Sequence, residues 1–479
     1  MALPAAQAVT IAFQRFGLGP KPGGRDAVTD ARAALHEEIA RGDAAMIDAD
    51  TAEQFGLEGT TGNYRRVYAA AAARKAMQAI EADAAMARRS ATAAEAAQAR
   101  AAALKEVGGA AERIYRAEAL ARIRRAIEAR AGFVERLVAF WSNHFCVSAA
   151  KGPVGRVTAG AFEREAIRPH VLGRFADMLV AAESHPAMLH FLDNARSVGP
   201  VSRAGLRSGR GLNENLGREI MELHTLGVDG GYTQADVTNL ARILTGWSIE
   251  GPEGQPPGDA RGFVFRAGAH EPGPIPLLGR TYADAGAAQG RAALDDLARR
   301  PQTARFVATK LARAFVADAP PPALVDGLAR TFRDTDGDLR AVSLALISAP
   351  EAWAPTPGKV RTPWELIIAT NRLLGHLPED PGQVLGPLRT LGMPLWEPPG
   401  PNGFPAADAA WASPEGIKLR LDYCALVASK LKTPPNPSEL LAALCGGAQS
   451  PETRQAVARA ESREQGLALL LMSPEMQRS

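Results

Sequence analysis

The sequence has few cysteines, little net charge and no long apolar run, and each shortage excludes a class of protein. Its three cysteines, Cys146, Cys424 and Cys445, are an odd number at wide spacing, which fits neither a disulfide framework nor a paired metal motif. We interpret them as small buried apolar side chains. The formal charge is +3 over 479 residues, with basic and acidic residues interspersed, so neither nucleic acid nor a membrane surface is an expected partner.

Long apolar segments are also missing. No apolar run reaches the roughly 18 residues that a membrane-spanning helix needs, and the N-terminal sequence lacks the basic region of a secretory signal. We therefore expect a cytoplasmic protein without a membrane span, or a periplasmic one if an export signal was removed. With 46% hydrophobic residues, the chain can bury a large core in two or three domains or lobes.

Proline is absent between Gly23 and Gly152, where Ala, Arg, Glu and Leu dominate. This composition predicts long helices. Residues 64–130 combine many alanines with few large apolar side chains, which favours a projecting helical arm, broken near Gly108 and Gly109. Such an arm is typical of a projecting hairpin or of a coiled coil that binds a partner protein.

Apolar residues recur with the helical period of 3.6 over most of the remaining chain, and only GFVF and PLLG resemble strands. We therefore predict a mainly α fold: a multi-helix body with a small β-ribbon near residues 263–280 and a projecting long helical arm. The predicted segments are the N-terminal segment 1–24, the Ala-rich helical arm 25–132, the central helical core 133–250, the Pro/Gly loop and β-ribbon 251–285, and the C-terminal helical region 286–479 with its Pro-rich loop.

The most polar predicted helix lies at the start of residues 212–247. Asn213 is its expected N-cap and Gly227 its left-handed C-terminal residue, while Thr233 and Asp236 form a capping box for a second helix. The two helices form a hairpin. At 100° per residue, the polar side chains fall on the arc opposite the apolar stripe; they are Glu214, Asn215, Arg218, Glu219 and Glu222.

Two interpretations of this polar arc stay open. Glu214, Arg218 and Glu222 follow the i, i+4, i+8 spacing of a solvent-exposed ion-pair ladder, in which each pair is worth about 0.2–0.5 kcal/mol. In the functional interpretation, the arc forms a site with the groups that flank the preceding short helix. The candidate catalytic residues are then Glu219, Glu222, His185 and Asp193, and the candidate substrate-binding residues are Asn194, Asn213, Asn215 and Arg218.

A divalent metal is a further hypothesis for the same region. Carboxylates of the arc and histidines from elsewhere would supply a mixed N/O ligand set suited to Zn, Mn or Fe. His224 lies about 200° from Glu222 on a regular helix and is therefore expected on the other face. The candidate ligands are His144, His185, His270 and Glu222. For His144, at the end of an apolar helix, a hydrogen-bonded core histidine is the alternative.

Several stretches together resemble the bacterial family known as domain of unknown function 1800. They are RFGLGP, WSNHF, REAIRPHVLGRFADML, HPAMLHFLDNARS, NENLGREIMELHTLGVDGGYTQADVTNLARILTGW, TARFVATKLARAFV and LGMPLWEPPGPNGFP. They span the chain except for about 50–130. Two positions depart from the family pattern, which usually has Asp where this chain has Glu271 and Trp where it has Phe404. The resemblance implies a family whose activity is unsettled.

Two functions are consistent with these observations. The first is an enzyme, hydrolytic or oxidative, in which a carboxylate acts as general base with or without a metal-activated water. The second is a helical scaffold that binds a partner protein through its arm and Pro-rich loop. A nucleophilic triad is disfavoured, because no GxSxG elbow or other activated Ser or Cys is present.

Overall fold

The computed structural model describes residues 3–66, 90–251, 257–356 and 358–479, with residues 90–108 described by their backbone alone. The structure is 60% helical, and the strands of the described residues form two antiparallel two-stranded sheets. The mainly α fold with a small β-ribbon is thereby confirmed. Among the described residues, no helix has both the length and the apolar character that a bilayer crossing requires.

The α-helices are numbered in chain order over the described residues. They are α1 Ala5–Ile11, α2 Ala31–Ala40, α3 Ala49–Gln54, α4 Ser90–Glu128, α5 Phe133–His144, α6 Gly152–Phe162, α7 Phe175–Glu183, α8 Pro186–Phe191, α9 Arg203–Ser208, α10 Asn215–Glu219, α11 Gln234–Ile243, α12 Ala287–Ala298, α13 Pro301–Phe315, α14 Pro322–Asp334, α15 Leu339–Ser348, α16 Pro363–Leu373, α17 Gly382–Thr390, α18 Asp408–Trp411, α19 Pro414–Lys430, α20 Pro437–Cys445, α21 Pro451–Ala458, α22 Arg463–Met472 and α23 Pro474–Gln477.

Helix α4 differs from the predicted arm. It runs through Gly108 and Gly109 without a break, because two glycines lower helix stability by only about 1 kcal/mol each and the flanking segments are strong helix formers. Its C-terminal part is buried in the core through Tyr115, Ala119 and Ile123. The arm residues 67–89 lie outside the described residues.

The predicted strands exist but do not pair with each other. Phe263–Phe265 (β2) pairs with Trp247–Ile249 (β1), and Ile275–Leu277 (β3) pairs with Arg280–Tyr282 (β4). The β3–β4 turn consists of Leu278 and Gly279, both with positive φ, which suits a tight two-residue hairpin. The β-ribbon region thus consists of two short antiparallel pairs, in which each predicted strand has its own partner strand.

The central hairpin has the predicted left-handed glycine and second capping box, but its first helix has Glu214 as its N-cap and differs in shape. Gly227 has φ +82°, and Thr233 and Asp236 complete the capping box of α11. Asn213 accepts the Asn215 N–H at 3.0 Å, but the helix widens into a π-turn at Ile220–His224 and is not regular to Leu226. This widening shifts the direction of the side chains that follow.

Three π-turns occur in the described part of the chain: Ala12–Phe16, Glu163–Ile167 and Ile220–His224. Each continues an α-helix and carries a buried polar side chain, namely Arg15, Glu163 and His224, which are 1–3% exposed. Such turns are often found at functional sites. The second and third lie close to the cavity described next.

Candidate functional site

A cavity of about 390 Å³ opens between α5, α13, the start of α16 and the Pro-rich loop 391–406. This volume lies in the range of small-molecule sites, which are about 300–1,000 Å³. Its walls are rich in aromatic side chains: Phe140, Phe306, Phe315, Trp364, Trp396 and Phe404. A second depression, beside His170 and Arg291, is wide open and has no aromatic lining. The aromatic cavity is therefore the better candidate site.

Basic side chains outnumber acidic ones in the cavity lining. Five basic residues, Arg122, Arg136, Lys310, Arg313 and Lys359, face a single carboxylate, Glu365. Arg136 donates to Glu365 at 2.7 Å, and Lys359 is paired with Asp318 and, at 2.8 Å, with Asp408. Arg313 is exposed. The remaining two cations, Arg122 and Lys310, distinguish this cavity.

Arg122 is 7% exposed and lies against two tryptophan rings, 4.4 Å from the ring centre of Trp364 and 5.4 Å from that of Trp396. Its Nε is 3.2 Å from Oε2 of Glu163. Its terminal nitrogens donate no hydrogen bond to any described residue. Burial lowers the pKa of Arg122, yet a guanidinium remains protonated in proteins. Arg122 is thus a buried cation that offers N–H groups to the cavity.

Glu163 pairs with Arg122 and does not itself line the cavity. Its carboxylate accepts hydrogen bonds from Ser142 at 2.7 Å, from Trp396 Nε1 at 3.2 Å and from Arg168 at 3.1 Å. Burial alone would raise the pKa of Glu163, but the charges of Arg122 and Arg168 outweigh it and hold the pKa below its usual value. The carboxylate is therefore ionised at neutral pH, and its lone pairs are shared among several donors.

Lys310 is the second distinctive cation. It is partly buried in the cavity wall on α13, and its Nζ is 5.4 Å from the ring centre of Phe306. Within the described chain, no acceptor or carboxylate lies within bonding distance of this amine. Burial lowers the pKa of Lys310 to about 8, as expected for an ammonium that loses water without gaining a counter-ion.

The Pro-rich loop forms one wall of the cavity and is held by specific contacts. The Asn143 side chain donates to the Phe404 carbonyl at 2.9 Å and accepts the Phe404 N–H at 2.8 Å. Gly403 permits this approach, because a Cβ there would lie 2.6 Å from the Asn143 carbonyl oxygen. Trp396 has φ +52°, a strained conformation for a bulky residue that is typical of functional sites.

A buried histidine–glutamate cluster lies next to the cavity. His144 lines the cavity, and its Nε2 is 3.0 Å from the carbonyl oxygen of His224. His224 Nδ1 is 2.8 Å from Oε1 of Glu183, although neither atom completes a hydrogen bond of good geometry. Burial, and then the charge of Lys310, hold the pKa of His144 well below its usual value. Burial raises the pKa of the neighbouring Glu219.

His185 has a different set of neighbours. Its Nε2 lies 3.1 Å from Glu165 and 3.2 Å from Thr60, while its Nδ1 accepts the Ala187 N–H and thereby caps α8. It makes no hydrogen bond, ion pair or ring contact with His144 or the Glu219/Glu222 pair in the described structure. The predicted meeting of these residues around one pocket is not observed, because capping α8 fixes His185 elsewhere.

Asp193 and Asn194 hold the end of this helix in place. Asp193 is paired with Lys151 at 2.7 Å. Asn194 is 1% exposed and donates to the carbonyl oxygens of Leu244 and Trp247, both at 3.1 Å. These contacts connect the short helix to the central hairpin, and neither residue lines the aromatic cavity.

The polar arc of the hairpin forms the predicted ion pairs. Arg218 lies 3.2 Å from Glu214 and 3.5 Å from Glu222. The three side chains are 27–37% exposed, which matches the ladder interpretation more closely than a buried network. Asn213 bonds through its backbone N–H to Ser197, and the Asn215 side chain makes no hydrogen bond in the described structure.

The four candidate metal ligands do not converge. His144, His185 and Glu222 have the separate partners given above, and His270 Nδ1 lies 2.8 Å from the Thr245 carbonyl oxygen. In the described ranges, no group of three or more His, Cys, Asp or Glu side chains is arranged to hold a metal ion. The described structure therefore does not support the predicted ligand set, because local hydrogen bonds orient each histidine differently.

The sequence analysis did not identify Arg122 and Lys310 as candidate site residues, although their helical spacing indicates buried positions. Lys310 follows Val307 by three positions, and Arg122 follows Ala119 by three. Both therefore fall on the buried face of an apolar helix, where Val307 and Ala119 are 0–1% exposed. A charged residue on such a face needs a partner or a function. The indication for Asn143 was weaker: it is a polar residue near the end of the apolar helix, in the motif WSNHF.

Comparison with known sequences and structures gives one match. The model of the family described as Protein of unknown function (DUF1800) matches residues 11–478. The match includes every residue of the aromatic cavity. No curated protein and no solved structure is detectably similar to the chain.

Proposed function

We propose, for this chain, which belongs to the DUF1800 family, that the aromatic cavity binds a small organic anion. The proposal depends on the environment of Arg122, a cation that is 93% buried against two tryptophans. The terminal N–H groups of its guanidinium have no acceptor among the described residues. Buried charges in proteins are normally paired. Glu163 pairs with Arg122 at Nε alone, and a carboxylate on a ligand would accept both terminal N–H groups in a bidentate pair.

The rest of the lining supports an apolar or aromatic body for this ligand. The side chains of Phe140, Phe306, Trp364 and Met393 border the same space. Aromatic walls with a few fixed polar groups are characteristic of small-molecule sites. Lys310 adds a second positive charge, so the cavity favours an anion over a neutral molecule of the same shape.

Calorimetry with a matched pair of probes tests this proposal. Naphthalene-2-carboxylate is expected to bind at least tenfold more tightly than naphthalene-2-carboxamide, because only the acid supplies a charged acceptor to Arg122. Arg122→Gln should abolish this preference, and the exposed Arg330→Gln on α14 is the matched control. Equal binding of acid and amide, or a preference that survives Arg122→Gln, would overturn the proposal.

The hypothesis of a carboxylate- and histidine-based enzyme, hydrolytic or oxidative, remains a second proposal. It is supported by Glu219, which lies beside His224 and Glu183, close to the cavity that His144 lines. Burial raises the pKa of Glu219. An acid with a raised pKa near a ligand pocket is a candidate proton donor. If this is so, Glu219→Gln should leave naphthalene-2-carboxylate binding unchanged while removing any turnover found for a substrate. Turnover that survives this variant would contradict the role.

A further inference from the structure

We infer that Lys310 is a nucleophile that forms an imine with an aldehyde or ketone bearing a carboxylate. The inference rests on the proposed anion-binding function, since Arg122 would hold the carboxylate while Lys310 meets the carbonyl carbon. Both side chains line the same cavity. The ligand class is therefore an oxo acid with an apolar or aromatic body.

The surroundings of Lys310 favour a reactive amine. Phe306 precedes it by one helical turn and places its ring 5.4 Å from Nζ. Among the described residues, no carboxylate pairs with the amine and no acceptor binds it. A structural lysine at such a depth would normally have a counter-ion, as Lys359 has in the same cavity with Asp318 and Asp408. The absence of a partner leaves the Lys310 amine available to a ligand.

The protonation state also supports a nucleophilic role. With a pKa of about 8, about a quarter of the Lys310 side chains are neutral amines at pH 7.5, against about 0.1% for an ordinary lysine. Only the neutral amine has the lone pair that attacks a carbonyl, and enzymes lower lysine pKa values by the same desolvation. Lys310 is thus activated by its apolar surroundings.

The step is a condensation that releases water. The Nζ lone pair attacks the carbonyl carbon and forms a C–N bond, while the carbonyl π electrons move to oxygen. A proton passes from nitrogen to this oxygen and gives a carbinolamine. Loss of the hydroxyl group with the remaining N–H proton produces one water and the C=N bond. No oxidant or reductant is consumed.

Cys146 is the other nucleophilic side chain in the lining, and its environment differs. Its thiol donates to the carbonyl oxygens of Gly400 at 3.5 Å and Pro401 at 3.3 Å. Burial raises the pKa of Cys146 to about 12, so the thiol stays protonated at neutral pH. Buried thiols of this kind are inert, which leaves Lys310 as the reactive group.

Reductive trapping on the full-length protein tests the inference. The protein is incubated with 4-formylbenzoate or 6-formylnaphthalene-2-carboxylate and sodium cyanoborohydride, and the alkylated lysines are mapped by peptide mass spectrometry. We expect Lys310 to be modified at least tenfold faster than the buried, paired Lys359 or the exposed Lys432. The rate should rise with an inflection near pH 8, and naphthalene-2-carboxylate should protect Lys310.

Variants separate the imine from anion binding. Lys310→Arg retains the charge, so naphthalene-2-carboxylate should still bind within about threefold while trapping at position 310 disappears. Arg122→Gln should slow trapping of 4-formylbenzoate at least tenfold and that of uncharged benzaldehyde much less. If a variant does not fold, the mapping of alkylated lysines in the wild-type protein still tests the imine.

The outcomes distinguish the two proposals. If naphthalene-2-carboxylate binds but Lys310 is trapped no faster than Lys359 and Lys432, the imine is wrong and the anion site stands. If the acid does not bind either, the proposed function fails as well.

Discussion

Lys310 should lower the stability of the folded protein, and its removal should raise it. The lowered pKa means that the folded state disfavours the ammonium relative to the unfolded state. A shift from 10.5 to about 8 corresponds to roughly 3–4 kcal/mol at about 1.4 kcal/mol per pKa unit. Because the side chain is partly exposed to the cavity, we expect Lys310→Met to gain about 1–3 kcal/mol at pH 7.

The sign of the pH dependence identifies the cause. Below pH 8 the amine is charged in both states and the full penalty applies. Between pH 8 and 10.5 the folded protein loses its proton first, so the unfolded state binds more protons and wild-type stability rises with pH. The advantage of Lys310→Met should therefore be constant below pH 8 and disappear by about pH 10.5.

Denaturant unfolding of the wild type and Lys310→Met at several pH values measures this difference. Lys432→Met, at an exposed position, is the control and should change stability by less than about 0.5 kcal/mol at every pH. A Lys310→Met variant that is less stable than the wild type at pH 7, or whose advantage does not fall with rising pH, would refute the reasoning.

Three further predictions follow from other contacts. Glu163→Gln should lower the free energy of unfolding by about 3–5 kcal/mol, because Arg122 and Arg168 lose a buried counter-ion. Since the Glu163 pKa is lowered, this difference should be present above pH 4.5 and shrink as the pH falls below it. A loss under 1 kcal/mol in urea melts would contradict the buried ion-pair network. Arg218→Ala should cost less than about 1 kcal/mol, as a partly exposed ion pair does, and a larger loss in the same assay would favour a buried network. Asn143→Ala removes two hydrogen bonds to Phe404 and should speed hydrogen exchange in residues 391–406, whereas unchanged exchange would show that the loop is held by other contacts.

Features set by local sequence were predictable. The capping box of Thr233 and Asp236 and the left-handed Gly227 depend on neighbouring residues alone, and both are confirmed. The ion pairs of Arg218 follow from helical spacing in the same way. Predictions of this kind need no knowledge of how distant segments pack.

Features set by distant contacts were not predictable. His185 was expected beside Glu219 and Glu222, but its partners Glu165 and Thr60 come from segments that meet it only in the folded chain. The cavity likewise joins α13 to a loop about ninety residues later. Lys310 and Arg122 could have been noted as charges on buried helix faces, but the lack of a counter-ion for Lys310 and the pairing of Arg122 with Glu163 are visible only in three dimensions.

A crystal structure of the protein with naphthalene-2-carboxylate tests anion binding in the aromatic cavity most directly. We expect the carboxylate within hydrogen-bond distance of the terminal nitrogens of Arg122, with the rings between the aromatic walls that Phe306 and Trp364 provide. A ligand bound outside this cavity, or a carboxylate directed away from both Arg122 and Lys310, would contradict the central claim.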